Sequence, residues 1–298
     1  MLSQWQCIQQ NIGTWHGTFA QFSPDGDLVK ETPSVLTLEE TQPGQRMQLT
    51  LERTPDGGTT DITRRSFSAP GPAPYVYFFE SGAFSQGTAQ WSKFGQFGAE
   101  MSLKVGDRRV RFVIMYEGTA EGTSKIKYIT LIREAQTGGT RFEEPHFHIE
   151  QVLGNWQGRL QMLYASMDPT TAGQSLWTFN EDLSLTCKEE NEDEWTLALA
   201  TCLKGDRSTS PSQTKPISLK KNKDSAPDYQ LTPLPNGTYC LMPQIIDQKA
   251  AFRVEVGWVR SNKANPETSA LIRTRIIRYY DHQGIWRKSA LIEDSPAV

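Results

Sequence analysis

Few side chains in this sequence have the types and spacing needed for catalysis or metal binding. The four cysteines show no Cys-x-x-Cys spacing, and the close pair His146 and His148 has no visible third ligand, so we predict no metal site. Cys7 has no histidine or carboxylate placed to activate it as a nucleophile. No Gly-x-Ser-x-Gly, phosphate-binding loop or dinucleotide fingerprint occurs. The sequence therefore assigns no catalytic residue.

A second group of polar side chains lies among aromatic residues, where it could hold a ligand. On a strand over 272–280, Arg278 and Tyr280 share one side, whereas Arg273 and Arg275 lie on the other and are expected to be solvated. A buried Arg–Tyr pair could receive a carboxylate on an otherwise flat, apolar ligand. The predicted ligand-binding residues are Phe112, Tyr116, Phe252, Trp258, Arg278 and Tyr280. The alternative is that the same side chains fill the core.

The elements that would position these residues are predominantly strands. The segments 110–116 and 252–258 alternate with a period of two, and turn signals such as Pro24-Asp25-Gly26 and Asn236-Gly237 separate such runs. Many short strands joined by turns favour an all-β antiparallel barrel or sandwich over a parallel α/β fold.

An internal repeat sets the number of domains. Ile12-Gly13-Thr14-Trp15-His16-Gly17 returns 141 residues later as Leu153-Gly154-Asn155-Trp156-Gln157-Gly158. This spacing is about the size of one small domain and far above solenoid periods. A short helix, about three turns long in the first copy, is predicted before each motif. We therefore predict two domains, 1–140 and 145–298, joined by a linker near 135–144.

The short helix, the Gly-x-Trp on the first strand and an arginine late in the last strand resemble the calycin (lipocalin-like) superfamily. The tandem arrangement resembles the two-domain DUF3598 family of cyanobacteria, whose halves are similar to S-type phycobiliprotein chromophore lyases. The resemblance implies two calycin-like barrels closed by the pairs Trp15 with Arg133 and Trp156 with Arg278. Nitrobindin-like haem proteins share Gly-x-Trp-x-Gly, but their glycine-rich strand and Tyr-Pro are missing here, so haem is not implied.

Composition excludes several classes of partner. With 31 basic and 34 acidic residues and a pI near 5.9, the chain has no electrostatic footprint for nucleic acid or an anionic membrane. No stretch approaches the roughly 18 apolar residues of a membrane span, and the N-terminus lacks the pattern of a signal peptide. The expected location is a reducing cytoplasm with free thiols.

Three functions remain open from the sequence. The first is binding of a hydrophobic or amphipathic small molecule, such as a bilin or another pigment-related compound, in a barrel cavity. The second is a chromophore lyase or isomerase acting on a bilin, with a phycobiliprotein as partner. The third is an assembly or interaction factor whose barrels are filled. No cofactor other than a candidate bilin is predicted.

Overall fold

The computed structural model describes residues 2–71, 76–166, 171–180, 184–189, 195–199, 215–221, 227–247, 250–261 and 271–297 of the chain. The predicted all-β class is confirmed: strands dominate, and two curled antiparallel sheets follow one another along the chain.

The helix α1 (Gln4–Gln9) is shorter than the three turns predicted. Ser3 begins it with a capping box, in which its hydroxyl accepts from the Gln6 backbone N–H and the Gln6 side chain accepts from the Ser3 backbone N–H. Trp5, Cys7 and Ile8 form its buried face. The chain then enters the first strand at Gly13, whose φ of 131° lies outside the helical region.

The first sheet is built from nine strands of the described first half. They are β1 (Gly13–Phe22), β2 (Leu28–Gln42), β3 (Arg46–Arg53), β4 (Asp61–Ser68), β5 (Tyr77–Phe78), β6 (Phe84–Gly87), β7 (Phe97–Val105), β8 (Arg108–Gly118) and β9 (Ser124–Gln136). Their hydrogen-bonded order is β4-β3-β2-β1-β9-β8-β7-β6-β5, so the described path is open, with β4 and β5 at its ends. Along β2, Ser34, Leu36 and Leu38 are buried, which is the alternation of a sheet with one covered face.

The second sheet is a closed barrel. The strands described in the second half of the chain, all of which except β17 belong to this barrel, are β10 (Gly154–Tyr164), β11 (Thr171–Phe179), β12 (Leu185–Glu189), β13 (Trp195–Leu199), β14 (Ile217–Lys221), β15 (Tyr229–Leu234), β16 (Thr238–Pro243), β17 (Ile245–Ile246), β18 (Phe252–Ser261), β19 (Leu271–Tyr280) and β20 (Trp286–Pro296). The closed path runs from β10 to β16 in chain order and continues through β18, β19 and β20, and the pairing of β20 with β10 closes it. The short strand β17 pairs instead with the start of β9.

The helix predicted before the second motif is not formed, and a single 3-10 turn, Ile149–Val152, takes its place. The preceding segment bonds to the β15–β16 hairpin: the Phe147 N–H donates to the Leu234 carbonyl, and the Pro145 carbonyl accepts from the Gly237 N–H. Phe147 is fully buried, with its ring 4.8 Å from that of Tyr239. Because residues 145–147 are bonded to this hairpin, few residues remain before Gly154 that could form a helix.

The described chain divides into two compact units. The first unit holds Met1–Thr88, Gly98–Met115 and Lys127–Phe142, and the second holds Ala89–Phe97, Tyr116–Ile126 and Glu143–Val298. The second unit therefore contains two segments from the first half of the chain.

Candidate ligand-binding cavity

A cavity in the first unit uses the face of β8 opposite to the predicted one. Arg109, Arg111 and Val113 line this cavity, whereas Phe112 is fully buried on the other face of the strand. Phe112 is not among the residues that line this cavity, and its role as a ligand-binding residue stays a prediction.

Tyr116, Phe252 and Tyr280 meet in the second unit, around Phe97. The rings of Phe252 and Tyr280 are stacked, with centroids 4.7 Å apart, and Phe97 contacts both edge-on. Phe97 also contacts Tyr116, with the two ring centroids 5.5 Å apart. The Tyr116 hydroxyl donates to the Pro243 carbonyl at 2.7 Å, and burial raises the pKa of Tyr116. The structure therefore brings these predicted residues together in one aromatic cluster, in which their rings contact Phe97.

Arg278 and Trp258 are also buried in the second unit. Nε of Arg278 donates to the Tyr280 hydroxyl at 2.9 Å, so the predicted Arg–Tyr pair is present. The Arg278 guanidinium lies 4.6 Å from the Trp286 ring centroid, and the guanidinium of Arg260 lies 5.1 Å from that of Trp258. These arginines are packed against aromatic rings.

Trp15 has a different arginine partner from the one predicted. The guanidinium of Arg109 lies over the indole, 4.2 Å from its centroid. Arg133 is partly exposed and donates to the Thr18 hydroxyl and to Glu31. Because Arg133 stands opposite Thr18 in the β1–β9 pairing, its side chain leaves the sheet on the face away from the indole. The Trp15–Arg133 pairing is therefore wrong.

The same correction applies in the second unit. Arg273 lies between two indoles, 4.7 Å from the ring centroid of Trp156 and 4.2 Å from that of Trp177. Arg278 is on the other face of β19, so the predicted Trp156–Arg278 pair does not form. The expectation that Arg273 and Arg275 are solvated is also wrong, since both are fully buried.

The second glycine of each motif leaves space for a buried acid. Gly17 stands opposite Glu134, and Gly158 stands opposite Asp294. A Cβ on Gly17 would lie 1.9 Å from the Arg133 carbonyl oxygen and 2.8 Å from Cγ of Glu134, and one on Gly158 would lie 2.4 Å from Cβ of Asp294. Gly-x-Trp-x-Gly therefore supplies an indole for an arginine and a gap for the carboxylate that pairs with it.

In the first unit this acid holds two arginines. Glu134 accepts from Nε of Arg109 at 2.6 Å and from Nε and Nη2 of Arg111, each at 3.0 Å. Nη1 of Arg111 donates to Glu100 at 3.0 Å, and Glu100 also accepts from the Gln86 amide. Glu134 and Arg109 are almost completely buried, whereas the Glu100 side chain is 19% exposed. Two guanidinium groups thus share one fully buried carboxylate.

Burial and charge act in opposite directions on the pKa values of this cluster. Burial disfavours the Glu134 carboxylate, but the charges of Arg109 and Arg111 outweigh it and lower the pKa of Glu134 to about 2. Burial also disfavours the Arg111 cation, yet Glu134 and Glu100 raise the pKa of Arg111 above its ordinary value. For Arg109 burial prevails, and its pKa is lowered.

Arg109 is held rigidly but incompletely satisfied. Its Nη1 donates to Oδ1 of Asn11 at 3.2 Å, while its Nη2 is buried without a hydrogen-bond partner among the described residues. Asn11 is itself fixed, because its carbonyl accepts from Nε1 of Trp15 at 2.9 Å and its amide donates to the Gly82 carbonyl at 2.8 Å. Nη2 is therefore a buried guanidinium nitrogen whose hydrogen-bonding capacity no described residue uses.

The cavity beside this cluster has a volume of about 420 Å³. Apolar side chains form most of its wall, with Leu36 opposite Leu51 and Leu38 opposite Leu49 in the β2–β3 register. The full lining is Ile8, Asn11, Phe19, Leu36, Leu38, Leu49, Leu51, Arg53, Thr63, Arg65, Phe67, Val76, Phe78, Phe84, Gln86, Glu100, Arg109, Arg111, Val113 and Ile132. An apolar wall with a few convergent charged groups is typical of a small-molecule site.

A second cavity of about 480 Å³ adjoins the first in the same unit. Phe19, Arg53 and Val113 line both cavities. Lys30 and Tyr128 are among the residues that line only the second. Two guanidinium groups lie over the Phe19 ring, that of Arg111 at 5.6 Å and that of Arg53 at 5.9 Å from the ring centroid.

The second unit contains a matching charged cluster in a packed setting. Arg273 and Arg275 both donate to Asp294, and Arg275 also donates to Glu255 at 3.2 Å. Tyr239 donates to Glu255 at 3.1 Å. Two indoles enclose Arg273, so side chains occupy this part of the described barrel interior.

Sequence reasoning missed these charged clusters, although a signal was present. Arg109-Val110-Arg111 and Arg273-Thr274-Arg275 share the pattern Arg-x-Arg on a strand that precedes the one carrying the acid. Aligning the halves on these pairs would have placed Glu134 and Asp294 in equivalent positions.

Two further observations concern the described residues only. No group of three or more His, Cys, Asp or Glu side chains is arranged to hold a metal ion there. None of the helices in this part of the chain is long and apolar enough to cross a membrane.

Comparisons with known proteins agree with this architecture. Residues 1–139 match the family model described as "Domain of unknown function (DUF3598), N-terminal", and residues 143–296 match that described as "Biogenesis factor required for ATP synthase 1, C-terminal domain". A crystal structure of a DUF3598 protein of unknown function from Nostoc punctiforme PCC 73102 is similar over 100% of both chains, with 27% identity and a TM-score of 0.79. No curated protein matches the chain.

Proposed function

Because the chain belongs to the DUF3598 family, with that family's N-terminal domain in its first half, we propose that the cavity of the first unit binds an amphipathic small molecule. The observation that carries the proposal is the cavity itself. Its volume of about 420 Å³ lies within the range of about 300–1,000 Å³ that is usual for small-molecule sites.

The lining indicates how such a ligand would be held. Leucine and phenylalanine side chains offer apolar surface, and burying it contributes about 25 cal/mol per Å² before the costs of binding. The charged cluster around Glu134 gives the same cavity a polar region. A molecule with an extended apolar part and an acid group complements both. The linear tetrapyrroles called bilins have this composition, and a bilin is therefore our first candidate ligand.

Titration of the purified chain tests this proposal. Biliverdin, haem and decanoate would be added separately, with absorbance, tryptophan fluorescence and native mass as readouts. We expect saturable binding of at least one compound at a stoichiometry of one. The variant Leu49→Trp places a large ring in the cavity and should weaken that binding at least tenfold.

A matched control separates cavity filling from a general effect of the added ring. Leu176 is 50% exposed on β11 in the second unit, so Leu176→Trp should bind as the parent does. Binding that survives Leu49→Trp unchanged, or no binding of any compound, would refute the proposal.

A second candidate function concerns the second unit. The family model that matches residues 143–296 is named as a biogenesis factor required for ATP synthase 1. In the described part of the barrel interior, side chains pack around Arg273. We propose that this unit works through its surface as an assembly factor. The full chain would be mixed with purified ATP synthase subunits and analysed by size-exclusion chromatography. Co-elution with at least one subunit is expected, and separate elution from every subunit would contradict the candidate.

A further inference from the structure

We propose that Arg109 receives the acid group of the ligand, which makes the ligand of the first-unit cavity a carboxylate. This inference rests on the proposed function and specifies the chemical class that the site selects. It depends on which nitrogens of Arg109 and Arg111 already donate hydrogen bonds to other side chains.

Every nitrogen of the Arg111 guanidinium group already donates to a carboxylate. Its Nε and Nη2 donate to Glu134, and its Nη1 donates to Glu100. Both oxygens of Glu100 are engaged as well, one by Arg111 and the other by the Gln86 amide. These two cavity-lining groups therefore compensate each other.

Of the nitrogens of the two buried guanidinium groups, Nη2 of Arg109 has no acceptor among the described residues. Arg109 lines the cavity and is only 3% exposed, and its Nε is used by Glu134 and its Nη1 by Asn11. An unmade hydrogen bond on a buried charged group is costly, so an acceptor that reaches this nitrogen gains more than it would at the surface.

The strength of a hydrogen bond from the guanidinium group favours an anionic acceptor over a neutral one. Two guanidinium groups share the single fully buried carboxylate of Glu134, and the Glu100 side chain, which is partly exposed, supplies the other negative charge. A ligand carboxylate would accept a charge-assisted hydrogen bond from Nη2 of Arg109, which is stronger than the hydrogen bond that a neutral acceptor would form there.

A pair of probes with the same chain tests the inference on the unmodified protein. Decanoate and methyl decanoate differ in charge at one end, and their dissociation constants would be measured at pH 7. We expect decanoate to bind at least tenfold more tightly, which corresponds to about 1.4 kcal/mol. Equal binding of the two would overturn the inference and leave the proposed cavity function standing. If neither binds, this inference is overturned, and the cavity function is decided by the biliverdin and haem titrations.

Two variants then assign the preference to one residue. Arg109→Met replaces the guanidinium group with an unbranched, uncharged side chain, and we expect it to abolish the preference for decanoate while methyl decanoate binds as before. Arg133→Met removes a positive charge from the same unit outside the cavity lining and should keep the preference. A preference that persists in folded Arg109→Met would show that another group receives the acid. If that variant does not fold, the probe pair on the parent chain still decides whether the site selects carboxylates.

Discussion

Replacing Glu134 by glutamine should destabilise the first unit by about 3 kcal/mol at pH 7. The pKa of Glu134 is about 2 in the folded chain against an ordinary value of 4.5. At about 1.4 kcal/mol per pKa unit, this difference corresponds to about 3 kcal/mol of stabilisation in the charged form. The size agrees with the roughly 3–5 kcal/mol that is typical when one partner of a buried ion pair is removed. Glutamine keeps the shape but leaves two buried guanidinium groups without their carboxylate.

The effect has a defined pH dependence. Because the folded-state pKa of Glu134 lies below the unfolded one, its stabilisation is complete above about pH 4.5 and is lost as the pH falls from there towards 2. Parent and variant should therefore differ most at pH 7, and their free energies of unfolding should converge at low pH.

Urea unfolding followed by circular dichroism at pH 7 and at pH 3 measures both quantities. Hydrogen exchange locates the loss, since amides of β1 and β9 in the first unit should exchange about a hundredfold faster in Glu134→Gln at pH 7. Glu31→Gln is the matched control, because Glu31 forms an exposed ion pair with Arg133 and such pairs contribute about 1 kcal/mol or less. A loss below 1 kcal/mol at pH 7, or a difference that is the same at both pH values, would refute the reasoning.

Three further substitutions test other parts of the structure. Phe19→Ala should join the two cavities of the first unit and raise the affinity for hexadecanoate relative to decanoate by tenfold or more, as measured by calorimetry; an unchanged ratio would mean that Phe19 does not separate them. Gly17→Ala should lower the free energy of unfolding by at least about 1–3 kcal/mol in urea, because its Cβ would overlap the Arg133 carbonyl oxygen, and a neutral result would contradict the close approach of β1 and β9. Ser3→Ala removes the capping box and should cost about 1 kcal/mol, detected as faster amide exchange at Gln6, whereas unchanged exchange would show that the cap contributes little.

The sequence predicted the fold through features that depend only on local order along the chain. The repeated Gly-x-Trp-x-Gly indicated a duplicated architecture, and alternating runs with intervening turns indicated antiparallel strands. Asn236 and Gly237 do adopt positive φ angles at the turn between β15 and β16. These inferences need no knowledge of how distant strands align.

The charged clusters required that knowledge and were therefore missed. Whether Trp15 contacts Arg109 or Arg133 depends on the register of β1 against β9, which places Gly17 opposite Glu134 and turns Arg133 to the other face. A shift of one residue exchanges the two faces of a strand, so register cannot be taken from composition. β19 adds a second difficulty, since buried arginines occupy both of its faces and the assumption that Arg273 is solvated fails.

The most direct test of ligand binding in the first unit is carbon NMR of decanoate labelled at its carboxyl carbon. In the presence of the chain, we predict a separate bound resonance that is lost in Leu49→Trp and retained in Leu176→Trp. Its pH titration should show a carboxyl pKa below that of free decanoate, because a guanidinium group stabilises the charged form. The absence of a bound resonance, or a bound resonance that persists in Leu49→Trp, would contradict the account.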